Sequence, residues 1–344
     1  MRLLKKLTET PGVPGREERV RDLILRETRG LFAETRVDPM GNLICRKPPP
    51  AGRRRGRSVP KVMLACHIDE IGFYVRAIDE DGRLRVQNVG GFDVRNLFAR
   101  RVLVQGRRDL LGVMNAAGKP VHIASDEEKK KIPEIRDLFV DLFLPPDQVR
   151  ELVRVGDPVT LVQTLEAIGD CYCGKSLDNR VASWVAINAL RRVGRRNTCD
   201  VYYVATTQEE VGCRGASTSS FGIDPDIAIA IDTTLACDTP GIDKTDAVTR
   251  LGEGVAIKIM DSNSISDRAL VDEMIAIATR RKIKYQLEIL PRGGTDAGTM
   301  QRSGPGRRAI TLSVPVRYVH TVVETAHRND MAAAVDLIAA YLTK

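Results

Sequence analysis

Aromatic residues are scarce in this chain of 344 residues: Phe, Tyr and Trp together make up 4%, with a single tryptophan. A chain so short of stacking side chains lacks the platforms that single-strand nucleic-acid binding needs beside a basic groove. The net charge of +8 does not reverse this, because its most conspicuous contribution is one local run, Arg53, Arg54, Arg55 and Arg57. That run lies between Pro48–Pro50 and Pro60 and reads as a solvated loop. Long hydrophobic runs are missing too, so no stretch is suited to crossing a membrane. The opening residues, MRLLKKLTETPG, break at Pro11 and Gly12 before a signal-peptide apolar core could form. Cysteine is present but unorganised. Its seven residues are scattered, and Cys171 and Cys173 lack the two-residue spacer of a redox or zinc-ribbon pair. Free thiols in a reducing compartment are expected. The chain reads as cytoplasmic, with neither nucleic acid nor membrane as partner.

What is there is an ordinary globular mixture, 43% hydrophobic and 28% charged. The length allows one large core plus a smaller domain, or two domains of ordinary size. Arg16 to Leu31 has the period of an amphipathic helix, with Val20, Leu23 and Ile24 on one face. Residues 35–37 and 42–45 flank Asp38-Pro-Met-Gly41 as a hairpin would, and Lys61 to Cys66 is a short apolar run suited to a buried strand. From Gly72 to Thr164 short strand-like runs alternate with turn signals, the texture of a small β-rich domain. Strand and helix then alternate to the end: helices over 179–193, 269–281 and 331–342, strands over 201–205, 227–231, 255–260, 285–290 and 310–314. The pattern predicts an α/β fold, a helix-covered mixed sheet, interrupted by an inserted β-rich domain. The boundaries expected are 1–71 and 166–344 for the α/β part and 72–165 for the insertion. No internal repeat is visible.

In open α/β sheets, sites form beyond the carboxyl ends of the strands. The run 61–66 ends at His67, with Asp69 and Glu70 next; 201–205 leads to Glu209 and Glu210; 227–231 ends at Asp232; and 310–314 leads to His320. Asp178 stands just before a helix. Each has an ordinary structural reading: Asp178 as a helix N-cap, Asp232 as a turn residue, either histidine as a satisfied structural one, Glu209 and Glu210 as solvated loop residues. Their convergence on one sheet edge favours chemistry. Imidazole and carboxylate without thiolate is a ligand set for zinc, cobalt or manganese. His122 and His327 fall outside this pattern and read as structural.

Five motifs carry a resemblance over nearly the whole chain: Ala65-Cys-His-Ile-Asp-Glu-Ile-Gly72, Leu177-Asp-Asn-Arg180, Gln208-Glu-Glu-Val-Gly212 with Arg214-Gly-Ala216, Gly293-Gly-Thr-Asp-Ala297, and Arg317-Tyr-Val-His320. In this order and spacing they resemble the dinuclear metalloaminopeptidases that include the glutamyl and deblocking aminopeptidases and the tetrahedral peptidases, peptidase family M42. Any one motif would be weak; together they are specific. The resemblance implies a zinc-peptidase-like α/β fold with an inserted small β-barrel acting as lid or dimerisation domain. It also implies homo-oligomers built from dimers, often dodecamers. The implied reaction is removal of N-terminal residues from peptides. Two divalent metal ions, zinc with cobalt or manganese as alternatives, would be bridged by Asp178; His67 and Asp232 would hold one, Glu210 and His320 the other. Glu209 would be the general base, and Asp69 would orient the imidazole of His67. Gly293 to Ala297 would line the substrate pocket with backbone.

Two departures stand out. Val140 to Phe143 occupies the place of a usual Ile-Asp-Ile-Gly run, and the arginine loop is an elaboration. Two rival readings remain at this point. Relatives have carried cellulase labels, and paired carboxylates can cleave β-glucans, but His67, His320 and the bridging place of Asp178 then have no role. A catalytically inactive scaffold would have no need of every ligand type together with Glu209.

Overall fold

The computed structural model describes residues 1–50 and 59–344. The arginine run at 53–57 therefore lies outside the described residues. Among the described residues, eleven strands form one mixed sheet and six form a closed barrel.

The hairpin expected early in the chain is present, with β1 (Glu34–Val37) antiparallel to β2 (Leu43–Lys47). β3 (Lys61–His67) follows, buried at every position after Lys61. A strand without polar alternation is covered on both faces, as parallel strands between helix layers must be. The helix expected over 16–31 runs only over Glu18–Glu27. It stops where Thr28 returns its hydroxyl to the Ile24 carbonyl and Gly30 takes φ 79°. Val20, Leu23 and Ile24 are buried as their spacing predicts.

The chain then leaves the sheet through Gly72, where an added Cβ would overlap Val13 and the Val159 carbonyl. The barrel strands are β4 (Gly72–Ile78), β5 (Leu84–Val89), β6 (Arg100–Gln105), β7 (Asp109–Ala116), β8 (Leu138–Asp141) and β9 (Pro158–Leu161). They close in the order β4-β5-β8-β7-β6-β9. Closure removes unpaired edges, and Phe73, Val75, Leu84, Val102, Met114 and Val140 fill the interior. Phe143, which ends the variant run, is largely exposed with φ 55°.

After the barrel come β10 (Glu166–Ile168), β11 (Cys171–Gly174), β12 (Asp200–Thr206), β13 (Ile227–Leu235), β14 (Val255–Met260), β15 (Tyr285–Ile289), β16 (Arg308–Arg317) and β17 (Glu324–His327). The main order is β1-β2-β12-β3-β13-β16-β17-β11-β10, with β14 pairing β16 and β15. At its centre β12, β3, β13 and β16 are parallel. The helix Leu177–Val193 buries Val181, Val185, Ala189 and Leu190 against this centre, and the helix Arg328–Leu342 packs beside it. Each fully buried valine or leucine side chain here contributes about 1.5–3 kcal/mol.

One detail of register positions the site. β13 pairs with β3 only as far as Ala230 opposite Ala65, whereas Cys66 and His67 go on pairing with β12. β3 and β13 therefore part at their carboxyl ends, and the gap lies where sheets of this kind place their ligands. Among the described residues no helix is long and apolar enough to cross a membrane.

Candidate metal centre

The gap between β3 and β13 opens into a cavity of about 460 Å³ lined by His67, Asp178, Glu209, Glu210, Asp232 and His320, among others. Six residues scattered from 67 to 320 are thus brought together. His67 closes β3, and Asp232 lies inside β13, so it is a strand residue and not a turn residue. Its position follows from β13 running on past Ala230, the last residue that pairs with β3, as far as Leu235, which leaves Asp232 just beyond the point where the two strands part. Asp178 opens the Leu177–Val193 helix with non-helical φ −77° and ψ 103°, and its carboxylate makes no capping bond among the described residues. Glu209 and Glu210 follow Gln208, which has φ 55°, and their side chains are largely covered in the cleft, 12% and 7% exposed. Gly215 lets this turn pack tightly, because a Cβ there would overlap Asn42 and the Thr207 backbone.

Asp178 occupies the middle. Its Oδ1 lies 3.3 Å from Nε2 of His67 and its Oδ2 lies 3.5 Å from Nε2 of His320. The His67 nitrogen is also 3.7 Å from Asp232 and 4.0 Å from Glu209. The His320 nitrogen is 3.5 Å from Glu210. One carboxylate therefore faces two imidazoles, each with a further carboxylate of its own. On the far side of His67, Asp69 Oδ1 is 3.5 Å from Nδ1, long for a hydrogen bond. Its nearer partners are the backbone N–H groups of Glu209 and Glu210, at 3.1 and 3.0 Å.

Electrostatics explain why this cluster calls for cations. Burial raises the pKa of Glu209, Glu210 and Asp232, and neighbouring carboxylates add to the rise. Burial also opposes charge on Asp178, but the two imidazoles outweigh it and hold its carboxyl well below the usual range. His320 shows the converse: burial works against its charge, yet Asp178 and Glu210 lift it to about 11. Two imidazoles among this many carboxylates leave desolvated negative charge without full compensation. The donors of His67, Asp178 and Glu210 lie within 4.8 Å of one another. Nitrogen and oxygen donors at this spacing fit divalent cations such as zinc, cobalt or manganese.

Two further residues carry the geometry: Glu324, which gives no sign in the sequence, and Asp296, which shows there only as part of a motif. Glu324 is buried, accepting the Asp178 N–H at 2.9 Å and the His320 N–H at 2.8 Å. His320 has φ 64°, so its backbone needs such a hold. Asp296, in the Gly293–Ala297 motif, accepts the Thr206 hydroxyl at 2.6 Å. Gly293, Gly294 and Thr295 line the cavity. Of the unassigned histidines, His327 caps the last helix by accepting the Asn329 N–H, and His122 is exposed on the barrel segment.

The M42 glutamyl aminopeptidase family model matches residues 41–337. A lysyl aminopeptidase of Pyrococcus furiosus is 33% identical, over 99% of this chain and 96% of its own length. Among solved structures, an aminopeptidase of the archaeon Desulfurococcus kamchatkensis is 37% identical with a TM-score of 0.93, covering 100% of this chain and 94% of that one. The TET1 peptidase of Pyrococcus horikoshii, which can assemble into a tetrahedron or a large octahedral shell, is 32% identical with a TM-score of 0.87, over 100% and 99% of the two chains. A Thermotoga maritima structure described as an endoglucanase is also similar, at 28% identity and a TM-score of 0.80 over 98% and 96%. By family model, by relatives and by fold alike, this chain belongs to the M42 glutamyl aminopeptidase family.

Proposed function

We propose that this protein is a metal-dependent aminopeptidase that removes N-terminal residues from peptides, with two divalent cations sharing Asp178. The observation that carries this is the disposition of Asp178, one oxygen toward His67 and the other toward His320. His67 and Asp232 would complete one cation site, Glu210 and His320 the other. When bound, such cations polarise the scissile carbonyl and acidify the attacking water, zinc being favoured and cobalt or manganese admissible.

The rest falls to the chain's own side chains. Glu209 takes the proton of the attacking water and returns it to the leaving amine. Burial raises its pKa above the ordinary carboxylate range. Asp69 fixes the backbone that carries Glu209 and Glu210, and Glu324 fixes that of Asp178 and His320. Leu235, Leu290 and Arg292 border the cavity and would meet the substrate's first side chain.

The barrel, residues 72–165 in the proposed division, would cover the site and join subunits, first as dimers and then in larger shells such as dodecamers. Exposed Val121, Ile123, Ile132 and Phe143 on that segment support this. All seven cysteines are free, in keeping with a reducing, cytoplasmic setting. Glycoside hydrolysis gives the two imidazoles no task.

Mass spectrometry of a peptide digest tests the reading. Residues should leave singly from the N-terminus, stop with chelator and resume with zinc, cobalt or manganese, while β-glucan stays intact. Trimming from the C-terminus, or chelator-resistant release of sugar, would overturn it.

A further inference from the structure

The Glu209 carboxylate has two sides. Oε2 is directed toward His67 Nε2, while Oε1 accepts the thiol hydrogen of Cys213 at 3.2 Å. An oxygen of Asp296 completes a second cluster, with one donor each from Glu209, Cys213 and Asp296 within 4.8 Å of one another. This cluster is distinct in chemistry from the first because it contains sulfur. Two independent observations mark it as a place for a ligand.

The first is an orphaned group. Asp296 is only 2% exposed; its Oδ2 accepts from Thr206, and its Oδ1 has no hydrogen-bond partner among the described residues. A carboxylate oxygen buried without a partner is costly, and a cation would relieve that cost. The second is access. Cys213 and Glu209 both line the cavity of about 460 Å³ that holds the proposed catalytic centre. A small ion entering that cavity reaches the thiol directly.

We propose that Glu209, Cys213 and Asp296 form an additional site for one thiophilic divalent cation, whose binding takes Glu209 away from proton transfer. Sulfur with two carboxylates selects zinc or cadmium over manganese or magnesium. Binding is coordination only: the Cys213 thiol releases its proton to solvent as the sulfur and the two carboxylates ligate the ion, and nothing is oxidised or reduced. Glu209 thus belongs to two clusters and can serve only one at a time. Excess zinc would brake the enzyme through this site while leaving the five proposed catalytic ligands in place. The inhibitory part rests on the proposed role of Glu209; the binding part does not.

The test is a cadmium titration of the metal-loaded enzyme, following the ultraviolet sulfur-to-cadmium absorption and peptide hydrolysis together. In the wild type the absorption should saturate at one added equivalent per subunit attributable to Cys213, in step with loss of hydrolysis. Cys213→Ala, and Cys213→Ser as a second variant, should lose that increment. Both should need at least about tenfold more cadmium for the same fractional inhibition, the scale of losing one supporting ligand. Absorption that remains in the variants belongs to other thiols such as Cys171 and Cys173, which are only half-buried. Asp296→Asn should weaken the increment without abolishing it. Equal absorption in wild type and both Cys213 variants would overturn the site. Loss of the increment with unchanged inhibition would overturn the braking role and leave the site standing.

Discussion

Asp69 holds Glu209 by its backbone: Oδ1 of Asp69 accepts the Glu209 N–H at 3.1 Å, and Oδ2 takes the neighbouring N–H of Glu210 at 3.0 Å. A single buried carboxylate thereby fixes both acidic residues of the turn and stands behind His67. Asp69→Asn turns one acceptor into a donor facing an N–H. Metal affinity should fall about 10–100-fold, as for other losses of a group that supports metal ligands. Competition with a chromophoric chelator measures this, and unchanged affinity would show that the turn holds itself.

Glu209→Gln keeps the shape and removes the base. Turnover should drop by about 10²–10⁴-fold, with metal content near that of the wild type. Elemental analysis beside steady-state kinetics separates the two effects. Wild-type turnover would mean that Glu209 and Glu210 have been given the wrong roles.

Glu324 offers a sharper structural test, because its two oxygens serve Asp178 and His320 at once. Glu324→Ala should leave both N–H groups without their acceptor, at about 1–3 kcal/mol of stability for each. Glu324→Gln retains one acceptor and should fall between wild type and Ala. Denaturant midpoints at fixed metal loading report the order.

Glu17 supplies a pH dependence. Burial, and then the charge of Asp69, lift its carboxyl from 4.5 to about 7 in the folded protein. Between these values the folded state holds a proton that the unfolded chain has released, so Glu17's contribution is full below about pH 4.5 and is lost as pH rises through about 7. Between pH 5 and pH 7.5 the loss should amount to about 2–3 kcal/mol. Glu17→Gln keeps an oxygen for the N–H groups of Gly15 and Gln208 and should flatten that slope. Urea midpoints of both proteins at pH 5 and pH 7.5 would reveal it; parallel profiles would exclude Glu17 as the source.

The sequence made the sheet legible where local chemistry decides structure. Lys61 to Cys66 is apolar throughout and became β3, and the residues ending such strands could be read as a site because strand ends converge. Asp178 was harder, since a carboxylate before a helix is ordinarily a cap, and only its distance to two imidazoles distinguishes the roles. Glu324 gave no local sign at all. Its partner Asp178 is 146 residues away in sequence, and nothing in Thr-Val-Val-Glu implies burial beneath that residue. Asp296 was visible only as part of a motif, because its unpartnered oxygen is a property of packing.

The central claim is that Asp178 serves two cations at once. Elemental analysis of metal-reconstituted Asp178→Asn, compared with wild type, Glu210→Gln and Asp232→Asn, tests it most directly. The wild type should hold two equivalents per subunit, Asp178→Asn should be depleted at both sites, and each of the other variants should lose one preferentially. Two equivalents retained by Asp178→Asn would contradict it.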